Sequence, residues 1–390
     1  MKVAKIAFAA FVLAGVVFFW LYLSAPVRVG KEAARGVDAD SDPGKAGRGD
    51  LLGHSSTGAA GRSDASSALL ESLVSELAAE CRGKRSRARV LELSGRLKKR
   101  VHALSPDEAA LAIASLLRSG VDYDTGLYFA VGSEGVMDEA PTLRTLLLDL
   151  LGQTDPAISA EVSREVLGST QSADEYALAL RNLAWINHDR RLDGELLVWF
   201  RGMLERAEWR AQPSDGFLEA FDAAVDLGSA TEMAGVLGST ARDPSSPLDR
   251  AAFIALDRIT INEPQEVLVS AVKDPSLLAA SPMHRASLLA RLDIRDPRER
   301  ETLADYLLRF PHAEGELQYF ARIFPNGNRF VGHRLITPSE PVPSIAQIEE
   351  LDRATLGLLE TWAQDPAFAS RVTELSAISE RLRTGRPPGL

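Results

Sequence analysis

Apolar positions along this chain follow two patterns, one continuous and one periodic. From Ile6 to Ala25 the chain runs for 20 residues without a charged side chain. A helix of that length rises about 30 Å, the thickness of a bilayer's hydrocarbon core. Lys2 and Lys5 precede the run, and Arg28, Lys31 and Arg35 follow it. Trp20 and Tyr22 sit near its far end, where aromatic side chains favour the membrane interface. A cleaved signal peptide fits less well. Its apolar core is about 7 to 15 residues long, and a cut after Ala25 would put Leu23 third from the cut and Pro26 directly after it. Residues 1–25 therefore read as an N-terminal signal-anchor transmembrane helix. Basic residues are nearly balanced on its two sides, and the short basic N-terminus suits the cytoplasm. The expectation is a single-pass membrane protein whose body faces the periplasm from a bacterial inner membrane.

The periodic pattern starts at Ala68. Before it, residues 26–67 are rich in Gly, Ser, Asp and Ala, a composition that cannot offset the entropy of ordering the backbone, and they read as a flexible linker. Leu69, Leu70, Leu73, Val74 and Leu77 recur at steps of three and four, as do Val90, Leu93, Leu97 and Val101. Each set is one face of an amphipathic helix. A basic cluster over residues 82–100, including Arg96, Lys98, Lys99 and Arg100, fans around the flanks of the second helix. A solvated helical hairpin accounts for it. Docking to anionic lipid headgroups or to an acidic partner is the alternative.

Helix starts carry a capping residue, often with Pro first or Glu/Gln third. Ser105-Pro106-Asp107-Glu108 is one such start. Those at Asp155, Asp193, Ser229, Asn262 and Asp296 are 38, 36, 33 and 34 residues apart, and the interleaved Ser172, Ser214, Ser246 and Ser281 are 42, 32 and 35 apart. Val166-Leu-Gly-Ser-Thr170 returns as Val236-Leu-Gly-Ser-Thr240, 70 residues later. Two interleaved series with a period of about 35 residues describe stacked helical hairpins, since one hairpin cannot bury its apolar face alone. Ala/Leu-rich faces run from Tyr176 to Leu183 and from Arg250 to Ile259, with Asp-Pro turns at Asp155, Asp274 and Asp296. On these features residues 105–311 resemble the HEAT-like α-solenoid repeat proteins, whereas the Trp and Pro pattern of tetratricopeptide repeats is absent. The resemblance implies a curved scaffold that binds other macromolecules. The predicted fold class is all-α, an α-solenoid of stacked helical hairpins behind a single N-terminal transmembrane helix, with the repeat body over residues 68–311.

Residues 312–343 break the rhythm. Asn326-Gly327 favours a tight hairpin turn, and Pro338, Pro341 and Pro343 forbid helix until Ser344. This Phe- and Pro-rich loop reads either as a cap on the last repeat or as a lip presenting Arg329, His333 and Arg334 to a ligand. Two helices follow, near 344–363 and 366–383, and residues 384–390 form a tail.

Composition narrows the function classes. The chain carries 44 Lys plus Arg against 54 Asp plus Glu, net −10, which argues against nucleic-acid binding because that rests on clustered positive charge. A single cysteine, Cys81, excludes an intramolecular disulfide. No pair among the six histidines has metalloprotease spacing, no Walker A sequence occurs, and Gly132-Ser133-Glu134-Gly135 lacks the nucleophile-elbow spacing. Asp122-Tyr-Asp124-Thr-Gly126 supplies only the start of a calcium loop. Arg48-Gly49-Asp50 resembles an integrin-binding tripeptide, three residues that recur by chance. No catalytic residue, cofactor or metal is expected. The reading is a non-catalytic, membrane-anchored scaffold that binds protein partners along the solenoid groove. The alternative is an envelope enzyme with its site near the 122–139 or the 320–334 loop.

Overall fold

Capping residues mark where this chain turns helical. In a computed structural model, which describes residues 57–83, 86–240, 243, 245–338 and 341–385, Ser105 and Glu108 form the expected capping box. The Asp155, Ser172, Ser214, Ser246 and Asp296 side chains accept the first free N–H groups of their helices. Asn262 instead ends one helix, and Glu263 precedes Pro264 at the start of the next. The signal-anchor and most of the linker lie outside the described residues. Among those described, no helix is long and apolar enough to cross a membrane.

The first half of the body holds α1 (Thr57–Arg82), α2 (Arg87–Val101), α3 (Pro106–Arg118), α4 (Leu143–Leu151), α5 (Pro156–Ser169) and α6 (Ala173–Trp185). Helix α1 begins at Thr57 rather than Ala68 because an amphipathic helix, once nucleated, extends cheaply into a preceding Ala-containing segment. Between α3 and α4 a loop carries the short antiparallel pair β1 (Ala130–Val131) and β2 (Met137–Glu139). The middle holds α7 (Asp193–Glu205), α8 (Ala207–Ala211), α9 (Asp215–Glu219) and a 3-10 turn over Ala220–Asp226. Then come α10 (Ala230–Thr240), α11 (Pro247–Asn262), α12 (Pro264–Lys273), α13 (Pro282–Leu289), α14 (Pro297–Arg309) and α15 (Glu316–Ile323). The expected C-terminal pair is α16 (Ile345–Trp362) and α17 (Val372–Thr384), joined through a 3-10 turn over Pro366–Arg371. The class is all-α.

Helices pack on their chain neighbours and on the next but one. One series runs α2, α4, α6, α9 with its 3-10 turn, α11, α13, α15, α17, each member touching the next. A second series, α1, α3, α5 and then α10, α12, α14, flanks it. The recurring Val-Leu-Gly-Ser-Thr segments end α5 and α10, two members of that flanking series. Between those two members, α7 packs on α6, and Tyr176, Trp199, Trp209, Phe217, Phe221 and Phe200 interlock edge to face. These large rings fill volume that regular helix pairs would otherwise supply.

The first series forms the core. Leu146–Leu151, Tyr176–Leu183 and Ala251–Thr260 are buried around their whole circumference. Charged side chains nevertheless interrupt these apolar runs. Asp149 on α4 meets Arg181 on α6 at 2.7 Å, both fully buried. Asp222 in the 3-10 turn meets Arg258 on α11 at 2.6 Å. Asp257 on α11 takes Arg291, just past α13, with one contact at 2.7 Å. Arg285 on α13 meets Glu316 on α15 at 2.6 and 2.9 Å. Each pair spans 31 to 36 residues and ties consecutive core helices. Between α6 and α9 the tie is neutral on one side: Asp174 accepts from Ser214 Oγ at 2.6 Å and Gly216 N at 3.0 Å.

Removing one partner of a buried pair strands the other charge and costs about 3–5 kcal/mol, whereas an exposed pair is worth at most about 1 kcal/mol. Asp149→Ala is expected to cost about 3–5 kcal/mol of unfolding free energy and Glu76→Ala, which frees exposed Arg96 and leaves Arg89 on Glu92, about 1 kcal/mol or less. Urea unfolding of both variants checks the contrast.

Candidate functional site

Two loops lie across the core helices and are fastened by the buried pairs. In the 122–141 loop, Gly135 O accepts from Arg181 at 2.8 Å, and Met137 N donates to Asp149 at 3.0 Å. Residues 324–338, here called the strap, cross the second half. Arg258 donates to the carbonyls of Gly332 and His333. Asp222 accepts from Ile336 N, Thr337 N and Thr337 Oγ1 at 2.7–2.8 Å. Arg291 reaches Asn326 O at 3.3 Å, and Asn326 N donates to Ala290 O at 2.7 Å. The loops abut at Gly135, whose φ is +76° and where a β-carbon would lie 2.2 Å from Leu335 O. Only glycine fits there.

The expected hairpin at Asn326-Gly327 does not form. Asn326 spends its N–H on Ala290 and its side chain on Asn328 N, and these long-range partners displace the local turn. Two of the three residues expected on a lip are engaged within the protein. The positive charge of Arg329 acts on Asp257, whose carboxyl burial pushes up while Arg291, Arg329 and Arg258 hold it down. Arg334 folds back onto its own strap, donating to Pro338 O at 2.6 Å.

His333 is the third. Its backbone is left-handed, φ 48°, and its Nδ1 lies 3.4 Å from Glu219 Oε1, within ion-pair range but without a hydrogen bond. Both side chains are about one-fifth exposed, 21% and 18%. Burial, then the neighbouring Asp222, pushes the Glu219 carboxyl up to about 7, against the backbone N–H groups of His333 and Arg334 and the charge of Arg258. Burial and then the cations Arg258 and Arg250 hold His333 below its ordinary value. A carboxyl that gains and loses its proton near neutrality beside a neutral imidazole is the main acid–base feature of this face.

A second histidine is structural. His284 stacks on Phe253 at 4.0 Å, with Asp249 Oδ2 3.3 Å from its Nδ1, and burial lowers it to about 4. Phe330 of the strap packs edge-on against the same Phe253.

Part of the basic cluster is engaged in place. Arg89 and Arg96 pair with Glu76, Arg87 pairs with Glu139, and Lys98 donates to Met137 O. Arg100 is half-buried and Lys99 is exposed. In the 122–139 loop, Asp122 accepts from Tyr123 N and Arg144 N and Asp124 from Gly126 N, so these carboxylates cap turns. Among the described residues no group of three or more His, Cys, Asp or Glu could hold a metal ion. Cys81 is buried on its helix face, and His188 and Asp189 are exposed at their turn.

Glu219 and Asp222 escaped the sequence reading. A usable signal existed for the buried pairs: single charges inside apolar helical runs, 31 to 36 residues apart. No known protein family, curated protein or solved structure matches this chain.

Because Glu219 binds its proton more tightly folded than unfolded, its contribution is present below its ordinary 4.5 and lost as pH rises toward 7. Glu219→Gln is expected to leave stability nearly unchanged at pH 5 and to raise it at pH 8, by up to about 3 kcal/mol. Thermal melts across that range read the difference. His284 behaves oppositely: its neutral form is favoured, so stability falls as pH drops from 6.5 toward 4. Its imidazole proton shifts in NMR are expected to titrate near pH 4.

Proposed function

We propose that this chain is a membrane-anchored scaffold that holds protein partners without chemistry of its own, its helix pairs stacked as an α-solenoid. The observation that carries the reading is the uninterrupted core series from α2 to α17, each helix leaning on the next. Charged ties repeat along it every 31 to 36 residues. Helix packing between near neighbours is the hallmark of quasi-one-dimensional arrays, and here only the two crossing loops make the longer-range contacts described above. Such arrays present long surfaces suited to macromolecular partners rather than to one small molecule. The apolar run over residues 6–25 supplies the anchor, and the linker gives the body reach from the bilayer.

Photocrosslinking in intact cells tests this. With photoreactive side chains placed at exposed Val331 and Tyr128, the full chain is expected to sit in the membrane fraction and give discrete protein adducts, unchanged by Glu219→Gln. A body released into the soluble fraction, or no adduct from either position, would overturn the proposal. Lys99→Glu in the same cells probes the lipid alternative: membrane retention is expected to be unchanged, since residues 6–25 suffice for it.

A second reading stays open on one observation, the Glu219–His333 pair at the 320–334 loop. A carboxyl poised near 7 beside a neutral imidazole is equipped for general acid–base work. That reading requires a turnover that Glu219→Gln abolishes and whose pH dependence reports a group near 7.

A further inference from the structure

The strap shows what the core face recognises. Asp222 takes two consecutive backbone N–H groups and a threonine hydroxyl, Arg258 takes two consecutive carbonyls, and Arg291 with Ala290 takes the carbonyl and N–H of a third residue. Nearly all of these contacts are to main chain, so they read backbone shape rather than side chains, the left-handed turn at Gly332 and His333 included. Side chains enter at Phe330, on Phe253, and at fully buried Leu335. Between those points the segment is half-exposed. Val331 at its crest is 90% exposed, and residues 325–343 contain neither helix nor strand among those described.

We infer that residues 326–337 occupy, in cis, a track that binds a bent, irregular polypeptide segment of a partner, and that the partner replaces the strap on the same backbone-reading groups. This rests on the scaffold reading and names its partner's chemistry: an unfolded or linker-like stretch, apolar at two points about five residues apart, with a glycine-containing turn between them as at Gly332 and His333, read by hydrogen bonds to its peptide groups. A segment without regular structure suits the site because main-chain hydrogen bonding gives affinity while spaced pockets give selectivity. The occupant is already tethered at both ends, by α15 and α16, and so acts at high effective concentration. A free segment therefore competes only where the strap opens.

Two measurements decide it. In hydrogen exchange on the intact protein, the Ile336 and Thr337 amides are expected to exchange at least tenfold faster than core amides of α11, reporting opening without unfolding. Exchange at the same rate as α11 would overturn the inference. The second uses Phe330→Ser in the full chain, which loosens the strap and leaves Asp222, Arg258 and Arg291 in place. A labelled peptide of sequence 326–338 is expected to bind that variant at least tenfold more tightly than the parent. Adding Asp222→Asn is expected to weaken this by a further tenfold or more. Equal peptide binding by parent and a folded Phe330→Ser variant would overturn the inference, while crosslinked partners from Val331 and Tyr128 would leave the scaffold reading standing.

Discussion

Burying a carboxylate against a guanidinium in an apolar interior is expensive unless every remaining lone pair and proton is also engaged. This protein meets much of that requirement with backbone, although Arg258 Nε stays buried without a hydrogen bond. Each pair between core helices leaves donors and acceptors to spare, and the two crossing loops satisfy many of them: Gly135 and Met137 at Asp149–Arg181, Gly332, His333, Ile336 and Thr337 at Asp222–Arg258, and Asn326 at Arg291. Loops and charges are therefore mutually dependent. The charges would be intolerable without the loops, and the loops have little regular structure of their own to hold them. Replacing such pairs by apolar residues is often neutral for stability, so their value here lies in fixing register. Apolar Ala/Leu faces slide past one another easily, and a charge that must meet its partner does not.

The same ties set the electrostatics of the face. Asp222 sits at the centre, bound to Arg258 and capping the end of the strap; burial is the main cause that raises Glu219 and lowers His333, with Asp222 adding to the first and Arg258 and Arg250 to the second. The acid–base character of the pair thus comes from burial under the strap, with the charges of the fastening adding to it. A scaffold and an acid–base site would draw on the same residues, which is why activity and partner binding must be separated by variants that spare Asp222.

Much of the helical framework was legible in the residues because its determinants are local. Asp155, Ser172, Ser246 and Asp296 cap helices where their Pro and Glu neighbours indicate, and the near-35-residue spacing matches the span of the buried pairs. Residues 57–67 are helical although glycine and serine weigh against helix locally, because the adjoining apolar face carries the helix through them. The strap was not legible. Asp222 finds Ile336 across 114 residues, and no local preference of Asn326-Gly327 survives against the fixed N–H and carbonyl groups at the end of α13. Arg329 and Arg334 drew attention as cations on a loop, yet that loop's geometry is set by acceptors far away in the chain.

The strap's place in the chain has a consequence for synthesis. The tie between Asp149 and Arg181 can close as soon as α6 emerges, and each later helix can dock on one already present. The bonds that seat Ile336 and Thr337 on Asp222 wait until nearly the whole polypeptide has left the ribosome. Between the emergence of Arg258 and that of Thr337, a nascent chain thus carries Asp222 and Arg258 without the strap groups that complete them. The clasp closes late, ahead only of the two helices that follow it.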